Sequence, residues 1–286
     1  MYSLFPNLKE RDLYITGESY AGKYVPSFSY KIYQENKILS ENKGQKINLK
    51  GLAIGDGLID PVSQTEYGDV LYNIGLIDFN QKLVFQDRSK QTRDAIANKD
   101  WMKAFTIFDQ LLNGDINPSL FTNMTGYTNY FNFLRPEQPK DFEYFTAYLE
   151  QESTRKGIHV GNLSFSDEAL VVEKHLLQDM MQSVKPALEE LLDSGYKVLI
   201  YNGQLDIIVA TSLTVNMVNN LDWKGKEDFQ KAERKQWRIG SDLAGYATSS
   251  GNFTFVVVLG AGHMVPHDQP KRAFDLINRF TRGKSF

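Results

Sequence analysis

The sequence predicts an α/β fold: a mostly parallel central sheet with flanking helices and a helical insertion. Three observations carry this. Apolar stretches of strand length at 13–16, 47–54, 196–201 and 253–259 each run into a Gly-containing break. A helix-sized segment separates the first two and another precedes the third, the βαβ pattern of parallel pairing. Between them, 63–154 shows helical periodicity with little strand signal.

Residues 1–12 read as the end of a helix and a polar connection containing Pro6 and Lys9-Glu10-Arg11-Asp12, which implies further sequence upstream. Leu13-Tyr14-Ile15-Thr16 is the first strand, broken by Gly17, after which Glu18-Ser19-Tyr20-Ala21-Gly22 leads into a helix. A serine at a tight strand-to-helix turn is the nucleophile elbow of an α/β-hydrolase. The turn needs small neighbours, and here the pattern is G-x-S-x-A. Such a turn lifts the Ser19 hydroxyl above the sheet and aims the Tyr20 backbone N–H at a developing oxyanion. Alone, the string also fits an ordinary strand-to-helix connection.

Residues 24–35 have helical spacing, with Pro26 at a kink or early turn, and 35–46 read as an exposed polar loop. The second strand, 47–54, ends at Gly55-Asp56-Gly57. Trp101, Phe105, Phe108, Leu111 and Leu112 mark a helix stopped by Asn113-Gly114, with core packing as their role. Asn129 to Phe133 lines a cleft or packs. Leu188, Leu191 and Leu192 form one face of a helix with Pro186 in its first turn and Gly195 at its cap. The strand at 196–201 runs into Asn202-Gly203-Gln204-Leu205-Asp206. The charged stretch 221–238 reads as solvated surface. The last strand, 253–259, ends at Gly260-Ala261-Gly262-His263, and Pro270 starts a helix with Ala273, Leu276, Ile277 and Phe280 inward. The organisation follows: 1–60 hydrolase core with the elbow, 61–165 helical cap, 166–286 core with Asp206 and His263.

The 286 residues suffice for a large core, and 42% apolar with 23% charged residues is ordinary for a globular protein. A formal net charge of -3 gives no reason to expect nucleic acid or an anionic membrane as partner. No run of about 18 apolar residues predicts a membrane span. Residues 1–12 lack the pattern of a signal peptide. There is no cysteine. Acceptor triplets for N-glycosylation at Asn123, Asn162 and Asn252 point mildly to the secretory pathway, whereas Pro118 excludes Asn117.

Ser19, Asp206 and His263 each follow the end of an apolar strand, where sites form in parallel α/β sheets. Their order, Ser then Asp then His, is that of the α/β-hydrolases. Ser19 would attack a carbonyl, His263 would shuttle its proton, and Asp206 would fix the imidazole tautomer. Asp222 and Asp242 compete with Asp206 but sit in polar surroundings. His267 competes with His263; His159 and His175 read as surface or packing residues. No histidine pair has helical metal-ligand spacing with a third ligand nearby, so the reading includes no metal and no cofactor.

The stretch Gly17-Glu-Ser-Tyr-Ala-Gly-Lys-Tyr-Val-Pro26 resembles the nucleophile motif of the serine carboxypeptidases. Asn202-Gly-Gln-Leu-Asp206 resembles their acid motif, and Gly260-Ala-Gly-His-Met-Val-Pro266 with Asp268-Gln-Pro270 their histidine motif. Ile54-Gly-Asp-Gly57 and Ile158-His-Val-Gly161 also fit, with the closest likeness to the vitellogenic carboxypeptidase-like group. The resemblance implies release of the C-terminal residue from peptides or proteins with a free carboxylate, at acid pH, in a secreted or lysosomal setting. It also implies that Glu18 binds the substrate's terminal carboxylate while sharing a proton with a second glutamate, and that Met264 lines the same pocket or packs. A protonated Glu18 could donate to a carboxylate; an ionised one would repel it.

The family's upstream part supplies further strands, a signal peptide, the partner of Glu18 and a Gly-rich segment with a second oxyanion donor; none is found here, nor are the family's disulfides. Only Tyr20 is therefore assigned to the oxyanion hole. Alternatives are an acyltransferase or esterase on the same scaffold, or a catalytically silent chain that binds or stabilises a partner.

Overall fold

The computed structural model describes residues 2, 4–41, 46–114, 119–165 and 170–286. Its sheet contains β1 (Leu13–Glu18), β2 (Leu49–Gly55), β3 (Lys197–Gly203), β4 (Arg234–Ile239), β5 (Asp242–Ser250) and β6 (Phe253–Val258). They are ordered β1-β2-β3-β6-β5-β4. β1, β2, β3 and β6 run parallel, and β5 and β4 close that side antiparallel. This is the mixed sheet of an α/β-hydrolase.

The central strands are nearly continuous apolar runs because both faces are covered. Side chains alternate between the faces. Leu52, Ile54, Val198, Ile200, Phe253 and Phe255 meet Val25 of α1 (Ala21–Glu41), Leu188 and Leu191 of α9 (Lys185–Asp193) and Met217 of α10 (Thr211–Asn219). On the other face, Ala53, Leu199, Val256 and Val258 meet Leu276 and Phe280 of α13 (Pro270–Arg282).

Among the described residues between β2 and β3 there is no strand. Instead come α2 (Tyr67–Asn73), α3 (Phe79–Ala97), α4 (Trp101–Phe108), α5 (Leu120–Thr125), α6 (Tyr144–Leu149), α7 (Glu152–Gly157) and α8 (Leu170–Met180). Tyr67, Phe85, Phe105, Leu111 and Phe121 form their own core, which extends to Ile207 and Leu213 beyond β3. The remaining short helices are α11 (Lys226–Lys231) and α12 (Val265–Asp268).

Three expectations are corrected. The described residues among 1–12 contribute a three-residue 3-10 turn, Pro6–Leu8, rather than the end of a helix. The loop expected at 35–46 is helical as far as Glu41. Its polar residues suit a solvated helix face, and the Asn36 side chain exchanges two 2.8 Å hydrogen bonds with the Ile47 backbone. The charged stretch 221–238 holds α11 and β4, and β5 follows it. β4 is an edge strand: only Trp237 is fully buried, while Arg234, Lys235, Gln236 and Arg238 face solvent. Charge protects such an edge from unwanted pairing and makes the strand read as surface.

Candidate active site

Ser19 sits one residue beyond β1 with φ 62°. Its N–H continues the ladder to Gly55 O at 2.9 Å, and its carbonyl accepts from Gly22 (2.9 Å) and Leu58 (3.1 Å). These bonds hold a left-handed conformation that a non-glycine residue otherwise avoids. The small residues of G-x-S-x-A are needed because Gly17 faces Ala21 across the turn, and a Cβ at Gly17 would collide with the Ala21 methyl. Tyr20 then leads into α1; its N–H makes no bond to a described backbone carbonyl. Its hydroxyl donates to Asp179 Oδ2 of α8 at 2.7 Å, and the Lys23 ammonium, pushed down to about 8 by burial, donates to Gln182 O.

Asp206 and His263 come from the loops after β3 and β6, which lie back to back. A Cβ at Gly203 would strike Gly262 O. Leu205 N donates to Ala261 O at 2.8 Å. Segment 129–133 clasps both loops: Phe133 N donates to Leu205 O (3.0 Å), His263 N to Phe131 O (2.6 Å), and the Phe131 ring stacks on the imidazole at 5.2 Å. Asp268 Oδ2 accepts from Gly262 N (2.7 Å) and Asn132 Nδ2 (3.1 Å).

The three side chains meet. His263 Nδ1 lies 2.8 Å from Asp206 Oδ2, and His263 Nε2 lies 2.7 Å from Ser19 Oγ. An ionised Asp206 only accepts, so Nδ1 carries the proton and Nε2 accepts from the Ser19 hydroxyl. Val209 N donates to the other Asp206 oxygen at 3.2 Å. Burial opposes the imidazolium, but the Asp206 charge and hydrogen bond, with Glu18 behind them, outweigh it and raise the His263 pKa. The arrangement can activate a hydroxyl nucleophile and return its proton to a leaving group.

Glu18 sits one residue before the serine. Burial pushes its carboxyl up to about 7, His263 and a Val265 N–H bond opposing and Asp206 adding. Its Oε2 is buried without a hydrogen-bond partner. With Thr16, Tyr201, Pro266 and Phe274 it lines a cleft of about 470 Å³ between β1 and α13. Met264 is exposed beside His263 at the start of α12.

The rivals lie elsewhere. Asp222 and Asp242 are exposed, the latter paired with Arg272 at 3.1 Å. His267 bonds Asp141 (2.9 Å) and Asp268 (3.1 Å). His159 and His175 are exposed. Asn123 and Asn162 are exposed, but the Asn252 amide donates to Leu192 O (2.9 Å) and Tyr196 O (2.7 Å), which a glycan would disturb.

Sequence reasoning missed Asp56, and gave Phe131 only as part of a stretch that lines a cleft or packs. Asp56 had a signal: it too follows an apolar strand, between Gly55 and Gly57. It is fully buried, with φ 45°, and one carboxylate oxygen accepts from Gly203 N at 2.8 Å. Among the described residues, Asp56, Asp206 and His263 form a group whose potential metal-ligating atoms lie within 4.8 Å of one another. Both His263 nitrogens are already engaged, by Asp206 and Ser19, which suits a proton relay better than a cation site.

A model of the family described as serine carboxypeptidase matches residues 2–283. The chain belongs to the serine carboxypeptidase family. Relatives include the "Venom serine carboxypeptidase" of Apis mellifera, 49% identical over all of this chain and 61% of its own length. Another is the "Probable serine carboxypeptidase CPVL" of Homo sapiens, 48% identical over all of this chain and 60% of its own length. The chain thus spans about three-fifths of these relatives. Among solved structures, the KEX1 prohormone-processing carboxypeptidase of Saccharomyces cerevisiae superposes with a TM-score of 0.80 at 24% identity. That match covers 99% of this chain and 64% of the yeast one, a likeness of fold. No described helix is long and apolar enough to cross a membrane.

Proposed function

We propose that this chain is a serine-type carboxypeptidase acting through Ser19, His263 and Asp206. The supporting observation is the His263 ring, bonded at once to Ser19 Oγ and Asp206 Oδ2 in a member of this family. Ser19 attacks the carbonyl of the last peptide bond as its proton passes to His263 Nε2. The Tyr20 N–H, at the start of α1, faces the oxyanion, where the helix dipole adds to the attraction. His263 then protonates the leaving amino group, and water, deprotonated by the same ring, frees the acyl group from Ser19. Residues 61–165 act as a cap around this site.

Substrates are peptides or proteins with a free C-terminal carboxylate. Below about pH 7 Glu18 keeps its proton and donates it in a hydrogen bond to that carboxylate. Met264 lines the same pocket. The acid preference fits a secreted or lysosomal setting, with glycans on Asn123 and Asn162.

The test is release of the C-terminal amino acid from a blocked dipeptide across about pH 4 to 8, a range that spans the Glu18 value of about 7. Release that disappears in Ser19→Ala supports the reading. Release unchanged in that variant, or no release together with no fluorophosphonate labelling of Ser19, refutes it.

A further inference from the structure

Asp56 is a buried carboxyl that the chemistry above does not use. Its exposure is zero, and it is held by its own N–H to Tyr201 O (2.9 Å) and by Gly203 N to its Oδ1 (2.8 Å). Its Oδ2 is buried with no hydrogen-bond partner. The charged and titratable groups that face it are Asp206, Glu18, His263 and Tyr201. Two ionised carboxylates side by side in a buried site repel, and neither can donate. A single proton on Asp56 resolves both faults: it removes the repulsion and turns the orphan oxygen into a donor toward Asp206.

We propose that Asp56 is a positioning residue, a neutral carboxylic acid that donates a hydrogen bond to Asp206 and so holds it for His263. Asp206 would then receive donors from three sides: His263 Nδ1, Val209 N and Asp56. Burial first, then the Asp206 charge and hydrogen bond, push the Asp56 carboxyl upward, which favours this state. Its place in the fold brings it to Asp206: Asp56 follows β2 as Asp206 follows β3, and these strands are parallel neighbours. The left-handed φ of 45° selects the variants for the test. Asparagine tolerates that conformation and keeps a donor of the same shape, whereas glycine keeps the conformation and removes the donor.

The role presupposes the triad proposed above, but the infrared test uses neither peptide release nor labelling, so failure of the carboxypeptidase reading would leave it readable. This first test is the infrared carbonyl stretch of a protonated acid in the full chain carrying 13C-labelled aspartate, at about pH 8, where an ordinary aspartate is ionised. A band present in the native chain and absent in Asp56→Asn supports the proposal. No band in the native chain, or one that persists in Asp56→Asn, overturns it. The second is the rate of fluorophosphonate labelling of Ser19. Asp56→Asn should stay within about threefold of native and Asp56→Gly fall by about tenfold or more, the scale of leaving one buried polar group unpaired. Equal losses in the two variants, or none in Asp56→Gly, overturn it.

Discussion

Ser19 occupies a φ of 62° that costs an L-residue about 1–2 kcal/mol. Glycine would relieve that strain but lose about 0.5–1 kcal/mol to the greater freedom of the unfolded chain. Ser19→Gly should therefore raise the urea midpoint by the equivalent of about 0.5 kcal/mol while abolishing labelling by a fluorophosphonate. A lower midpoint would show that the turn is not strained. Asp206→Asn preserves shape but lets the ring take the wrong tautomer, and labelling should fall by about 10,000-fold; a loss under tenfold would remove Asp206 from the triad. These residues could be found in the sequence because each follows a strand, and strand ends are visible in composition. Phe131 could not. It acts through a backbone carbonyl and a ring face that only the folded loop brings to His263.

The parallel strands β1, β2, β3 and β6 were legible as apolar runs ending in glycine. β4 and β5 were not, because an edge pair exposes one side and carries polar residues there. Trp237 is the residue that anchors them: it is fully buried, and its indole N–H donates to Asp275 at 2.8 Å. Trp237→Ala should cost about 3–5 kcal/mol in urea unfolding; a cost below about 1 kcal/mol, as for a surface position, would mean the edge pair is not docked. At the other end, His267 ties α12 to the 3-10 turn Lys140–Glu143 through Asp141. Both its nitrogens face carboxylates, so only the imidazolium satisfies both. The Asp268 bond and then that of Asp141 outweigh burial and raise its pKa. A pKa raised on folding contributes stability that is complete below the ordinary histidine value and is lost as pH climbs through the raised one. Amide exchange in 140–149 should thus quicken, beyond its intrinsic pH dependence, as pH rises above about 6.5, the ordinary histidine value, in the native chain. In His267→Gln it should show no such excess. The same excess in both would exclude the tie.

Across the whole molecule, the site is a convergence of four loops at the carboxyl ends of β1, β2, β3 and β6, clasped from the insertion by segment 129–133. Electrostatics links the parts. Glu18 from β1 and His263 from beyond β6 share their titration: His263 lowers the Glu18 pKa, and Glu18 raises that of His263. In the proposed mechanism the working form has Glu18 protonated and His263 neutral, so the pair should give a bell-shaped profile of apparent pKa values belonging to both groups. Glutamine at 18 would still donate to a terminal carboxylate but could not ionise, nor raise the His263 pKa. The most direct measurement is therefore kcat/KM for release of a C-terminal amino acid against pH, in the native chain and in Glu18→Gln. The native rate should fall as pH rises through about 7, while Glu18→Gln holds its rate there and its acid limb moves to lower pH. Superimposable profiles would contradict the assignment of Glu18 to the substrate carboxylate and its coupling to His263.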